Sequence, residues 1–123
     1  MLDLDSDKSI YIQIAEMVEN SILSGELGEG EQAPSTNEFA RIYGINPATA
    51  RKGLNLLVDE NILFTRRGLG MFVCKGARER ILQKRQKKFL SEVLPQIVKE
   101  ASRLEISLSR LIEYMEECKE GEL

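Results

Sequence analysis

The sequence predicts a mainly α chain with one small β-hairpin, and three observations carry the prediction. Residues 35–43 and 46–60 each open on a helix-start signal and are separated by a glycine. Two β-prone runs, 62–66 and 71–74, flank Arg67-Gly68-Leu69-Gly70. Beyond residue 77, apolar residues recur at intervals of four and three, the spacing of helix-on-helix packing. A chain of 123 residues has room for one modest core and an appended helical piece. The expected division is a compact unit over 1–76 and a helical region over 77–123.

Tyr11, Ile14, Ala15, Val18 and Ile22 recur at helical spacing, which predicts a first amphipathic helix over 10–24, with Ser9 as N-cap and Gly25 just past its end. "GELGEGEQAP" follows and is too rich in glycine and glutamate to be regular; it reads as a loop anchored by Leu27. Ser35-Thr36-Asn37-Glu38 is a capping box, in which the Ser35 hydroxyl accepts from the Glu38 amide and the Glu38 carboxylate reaches back. The second helix therefore starts near Thr36, presents Phe39, Ala40 and Tyr43 as its apolar side, and stops at Gly44. Asn46-Pro47 repeats the start signal, with Asn as N-cap and Pro at the first helical position, where its missing amide hydrogen costs nothing. The third helix runs to about Glu60.

Two short helices joined by a tight glycine turn form a helix-turn-helix. At about 100° per residue, Ala50, Gly53, Leu54, Leu57 and Val58 share one side of the third helix. Ala48, Thr49, Lys52 and Asn55 fall opposite, with Arg51 on the flank. Small residues let the helix start approach a surface closely, and Arg51 and Lys52 reach base edges or phosphates, as entry into a major groove demands.

The glycines at 68 and 70 supply the positive φ angles of a tight hairpin whose tip carries Arg66 and Arg67. A dinucleotide fingerprint requires a third glycine where Val73 stands and a helix after the loop; a Walker loop requires Gly-Lys-Ser/Thr. Neither is present. A hairpin beside a helix-turn-helix is a wing, so the predicted fold is a winged helix-turn-helix followed by C-terminal dimerisation helices.

In the tail, Leu90, Leu94, Ile97, Ala101 and Leu104 form a heptad seam. Pro95 interrupts it, and since an interior proline costs about 3 kcal/mol, a kink or break is expected there. Ser107 then caps a last helix with Leu108, Leu111, Ile112, Met115 and Cys118 on one face. Two helices of this size do not bury both stripes alone, so a partner surface, most simply a second copy, is required.

Composition narrows the chemistry. There is no histidine, and Cys74 and Cys118 are far apart, which excludes histidine-dependent catalysis and leaves no ligand set for zinc. The expectation is no enzyme activity, no cofactor and no metal, with both cysteines as small buried apolar groups. The apolar runs are too short to cross a membrane and the N-terminus is acidic, so a cytoplasmic location is expected. The net charge of -3 hides a strong asymmetry. Residues 1–40 hold one Lys or Arg against nine Asp or Glu, residues 41–88 twelve against three, and residues 89–123 four against eight. Screening acts over about 8 Å, so the basic middle is free to bind a polyanion although the sum is negative. The run from Lys84 to Lys88 reads as a solvated helix face.

"IYIQIAEMVENSILSGEL" through "APSTNEFARIYGINPATARKGLNLLVDENILFTRRGLGMFV" resembles the DNA-binding domain of GntR-family transcriptional regulators over about residues 10 to 74. The motifs are Ile-Leu-Ser-Gly-Glu-Leu, Pro-Ser before the second helix, Thr49-x-Arg51, and Arg-x-Gly-x-Gly-x-Phe-Val. The two-helix tail, with "EASRLEISLSRLIEYMEE", resembles the YtrA-type subfamily. That resemblance implies binding to double-stranded DNA, homodimerisation through the tail and no large effector domain; it identifies no small-molecule effector. It places DNA contacts on Ser35 and Asn37, on Asn46, Pro47, Ala48, Thr49 and Arg51, and on Arg67, Gly68 and Gly70. Many members have arginine where Asn37 and Pro47 stand, and a bidentate arginine contact is worth about 1 to 3 kcal/mol of discrimination. A differently chosen sequence preference is expected, with Arg51, Lys52 and the wing arginines carrying more of the affinity. The function implied is a repressor that occupies a palindromic operator as a homodimer. A winged-helix adaptor docking an acidic protein partner is the alternative.

Overall fold

The computed structural model describes residues 2–5 and 8–121 and divides into two compact units, Met1–Gln83 and Lys84–Leu123. In the first, α1 (Ile10–Ser24), α2 (Thr36–Tyr43) and α3 (Pro47–Asp59) precede a two-stranded antiparallel hairpin of β1 (Leu63–Arg66) and β2 (Gly70–Val73). Leu63 pairs with Val73 and Arg66 with Gly70. The next helix, α4 (Ala77–Lys88), returns Ala77 and Ile81 to the same core.

Local signals explain the helix ends. Glu38 donates its amide to the Ser35 hydroxyl at 3.1 Å and accepts from the Ser35 amide at 3.3 Å, closing the capping box. Gly44 ends α2 in the left-handed region, at φ 65°. Asn46 caps α3 by accepting from the Ala48 amide at 2.8 Å. Ser9 occupies the N-cap position of α1 but its side chain makes no cap bond. The entry to α1 is held instead by the buried Gln13, which accepts from the Asp3 amide at 2.6 Å and donates to the Asp3 and Lys8 carbonyls at 2.8 Å.

Ile14 and Val18 of α1, Leu54 and Leu57 of α3, and Ile62 and Leu63 at the hairpin base form the centre of the core. Each fully buried aliphatic side chain contributes about 1.5 to 3 kcal/mol. Gly53 sets how close α1 and α3 come, since a Cβ there would stand 2.6 Å from the Tyr11 carbonyl oxygen and 3.1 Å from the Ile14 side chain. Leu27 packs on this core as the loop anchor, but the loop is not wholly irregular. Val73 donates to the Glu31 carbonyl and Ala33 to that of Met71, both at 2.9 Å, so residues 31–33 run alongside β2, joined to the two-stranded sheet by a single isolated bridge between Gln32 and Phe72.

In the second unit the helix runs on from Lys84 through a π-helical turn (Phe89–Val93) into α5 (Leu94–Arg103), and α6 (Leu108–Lys119) follows. The interruption of the α-helix expected at Pro95 takes the form of this turn. Leu94 donates its amide to the Phe89 carbonyl, five residues back, and Pro95 then falls in the first turn of α5, where a missing amide hydrogen is tolerated. Glu105 adopts φ 57° in the link, and Ser107 caps α6 by accepting from the Arg110 amide at 3.2 Å. Cys118 is exposed and Cys74 half-buried, so the expectation of two buried cysteines fails; only Cys74 packs against the core.

Candidate nucleic-acid interface

α3 has a buried side and an open one. Ala50, Gly53, Leu54 and Leu57 are buried against α1 and the hairpin base, Val58 is half-buried, and Ala48, Arg51, Lys52 and Asn55 are exposed. Thr49 lies between, half-buried. The start of α3 has little hydrogen-bonding capacity left in its backbone. Pro47 has no amide hydrogen, the Ala48 amide is taken by the Asn46 side chain, and the Thr49 amide donates to the Asn46 carbonyl at 3.0 Å. Pro47 and Ala48 therefore present apolar surface, and polar contact from this helix falls to side chains such as Arg51.

Arg51 stands where two grooves meet. One, floored by Tyr11, is lined by Ala48, Lys52, Asn55 and Asp59 along α3. The other lies between the start of α2 and the hairpin and is lined by Ser35, Thr36, Asn37, Thr65 and Gly70. This second groove brings together residues more than thirty positions apart, from all three elements singled out in the sequence. Lys52 leans on α1, its ammonium 4.1 Å from the centre of the Tyr11 ring.

At the hairpin, Leu69 donates to the Arg66 carbonyl at 2.9 Å, and Gly68 (φ 78°) and Gly70 (φ 118°) take the positive angles the turn requires. The two wing arginines differ. Arg67 is in the turn and exposed. Arg66 ends β1, and its guanidinium lies 5.6 Å from the Phe64 ring and 5.4 Å from the Phe72 ring, over a cross-strand stacked pair.

Sequence reasoning left out Thr65 and Gln32. Two-residue alternation along β1 separates Thr65 from Phe64 and Arg66 and was the available signal for it. Gln32 donates to the Leu69 carbonyl at 2.7 Å across 37 positions, for which no local signal exists. Two cations of the basic middle serve the fold instead. Arg78 donates to the Leu23 carbonyl at 3.3 Å, and Arg80 to those of Asn61 and Lys75 at 3.0 and 2.9 Å. Among the described residues no group of three or more acidic, cysteine or histidine side chains is placed to hold a metal ion, and no helix is long and apolar enough to cross a membrane.

A helix-turn-helix with cations on its open face, flanked by a wing, is the architecture of a DNA-binding transcriptional regulator. The sequence profile of "Bacterial regulatory proteins, gntR family" matches residues 10–73, just over half of the chain, and the chain belongs to that family. It is 40% identical to the HTH-type transcriptional repressor NagR of Bacillus subtilis over 74 residues, which are 60% of this chain but only 30% of NagR. Against the HTH-type transcriptional repressor YtrA of the same organism it is 29% identical over 116 residues, covering 94% of this chain and 88% of YtrA, so that likeness includes the tail. The crystal structure of a GntR-family regulator from Bacteroides thetaiotaomicron superposes with a TM-score of 0.79 at 28% identity, covering 94% of this chain and all of that one. S. agalactiae BusR in complex with its busAB promoter DNA superposes with a TM-score of 0.59 at 25% identity, covering 89% of this chain and 55% of that one.

Proposed function

We propose that the protein is a sequence-specific repressor that binds a palindromic operator as a homodimer in the cytoplasm, with residues 1–76 as the DNA-binding domain and 77–123 as the dimerisation region. In this reading α3 lies in a major groove and the Arg67-Gly68 turn follows the adjacent backbone. The observation that carries it is the position of Arg51, exposed on α3 and shared by the groove along that helix and the groove beside Ser35, Asn37 and Gly70. Arg51, Lys52 and Asn55 reach base edges or phosphates, Pro47 and Ala48 offer apolar contact of the kind a thymine methyl accepts, and Ser35, Asn37, Arg66, Arg67, Gly68 and Gly70 meet the sugar-phosphate strand. Asn46 acts by holding the start of α3, and Thr49 by its exposed edge.

The tail supports the dimer. In the second unit Ala101 is buried, whereas Leu90, Leu104 and Leu108 are 60%, 62% and 64% exposed and Ile97, Ile112 and Met115 are open as well. Leu94 and Leu111 are half-buried. Such a surface is stable in water when a second copy covers it. Repression is supported by the names of NagR and YtrA, both called repressors. The test is selection of bound duplexes from a random pool by the full chain. Recovery of one inverted-repeat motif supports the reading; recovery of unrelated sequences, with no preference over random DNA, sinks it in favour of a module that docks an acidic protein.

A further inference from the structure

We infer that Gln32 is a positioning residue for the wing, a latch that fixes the Arg67-Gly68 tip relative to the start of α2; the inference rests on the proposal that this tip meets DNA. Three observations carry it. The Gln32 side chain donates to the Leu69 carbonyl at 2.7 Å, one residue from Gly68 and two from Arg67. Its backbone is held from the other side, because Gln32 bridges Phe72 while Glu31 and Ala33 bond Val73 and Met71 of β2. Finally, Gly70 turns at φ 118° directly beneath the amide, and a Cβ there would come within 2.8 Å of the Gln32 nitrogen. The glycine leaves the space that the glutamine fills.

A two-stranded ribbon is marginally stable alone, and its tip is where it frays. The latch ties that tip to a segment running through Ala33 and Pro34 into Ser35, the N-cap of α2, so the two walls of the groove beside Arg51 are joined by one side chain. A tip already ordered in the free protein loses less freedom on binding, and that difference appears as affinity. Gln32 thus acts through Arg67 and the turn rather than by touching DNA.

The experiment uses the full chain, Gln32→Ala, Gln32→Glu, Arg67→Ala and the double variant Gln32→Ala with Arg67→Ala. Gln32→Glu keeps the shape but replaces the donor by a carboxylate that repels the Leu69 carbonyl. In the free protein, both Gln32 variants are expected to speed amide hydrogen exchange at Leu69 and Gly70 with an unchanged melting temperature. Unchanged exchange overturns the latch whatever the DNA result. On a duplex recovered by selection from a random pool, Gln32→Ala is expected to weaken binding about threefold to tenfold, the range of one lost hydrogen bond. In the Arg67→Ala background the same change is expected to cost less than about twofold, since coupled residues are not additive. Full additivity means that Gln32 touches DNA itself and overturns the positioning role. Loss of binding preference in the parent protein, or no effect of Arg67→Ala, refutes the wing's DNA contact instead, and the exchange measurement still decides the latch.

Discussion

The Lys52 ammonium of α3 rests 4.1 Å above the centre of the Tyr11 ring of α1, so the helix that faces outward has one of its cations held by the helix that supports it from behind. An exposed cation–π pair is worth about 0.5 to 1 kcal/mol. Tyr11→Phe preserves the ring face and is expected to bind DNA within about twofold of the parent protein. Tyr11→Leu frees Lys52 and is expected to weaken binding about twofold to fivefold. Fluorescence anisotropy on one duplex measures both, and equal affinity for all three proteins would show that the ring does not guide Lys52.

Arg51 and Arg67 are expected to fail in different ways. Arg51→Ala should cost about 1 to 3 kcal/mol and relax preference at one or two base positions. Arg67→Ala should weaken all duplexes alike and reduce the slope of log affinity against log salt by about 1. Titrations at three salt concentrations on a preferred and a scrambled duplex separate the two behaviours. A shared signature for both variants would contradict the assignment of base reading to α3 and phosphate contact to the wing.

The apolar start of α3 gives a test at the level of a single methyl group. Replacing each thymine of a selected duplex by deoxyuridine, one at a time, is expected to weaken binding by up to about 0.8 kcal/mol, the value of one buried methyl-sized group, at the position facing Pro47 and Ala48. Insensitivity at every position would mean that these residues do not read a thymine methyl.

Gly53→Ala should destabilise the fold although it raises helix propensity. In an open helix that change gains about 1 kcal/mol. Here the new Cβ would stand 2.6 Å from the backbone oxygen of Tyr11, which cannot move aside without shifting α1. Overpacking of this kind costs about 1 to 3 kcal/mol, so the melting temperature should fall; a rise would mean that α1 and α3 separate at little cost.

Association through the tail is tested at Ile97 and Leu104. Ile97→Asp with Leu104→Asp is expected to give a species that sediments as a monomer at micromolar concentration while the parent chain sediments as a dimer. The first unit should keep its melting transition, because neither residue belongs to its core. A dimer that survives both charges must be held by another surface.

Much of the fold was legible because its signals are local. The Ser35–Glu38 box, the Asn46-Pro47 start and the glycines at 68 and 70 each act within three or four residues, and the buried face of α3 follows from helical period alone. What lay beyond reach depends on distant segments meeting. The Gln32–Leu69 bond, the seat of Lys52 on Tyr11 and the use of Arg78 and Arg80 to bind carbonyls leave no mark in sequence spacing. Counting charge was therefore a coarser guide than it looked, since an arginine that serves the backbone counts the same as one that faces outward. Ser9 illustrates the converse, a suitable residue in a suitable position whose role is taken by Gln13.

The π-helical turn at Phe89–Val93 also governs how the tail is engineered. It contains one residue more than an α-helical path would use, and one residue is about 100° of rotation. A chimera that joins α5 and α6 to a foreign helix upstream of Phe89 keeps its apolar ridge in phase if the wide turn is transplanted with Pro95. If the donor segment is instead cut at Leu94 and spliced by counting heptads, the ridge swings by about a quarter of a circle. In the dimer proposed above, two grafted copies would then meet polar flank to polar flank.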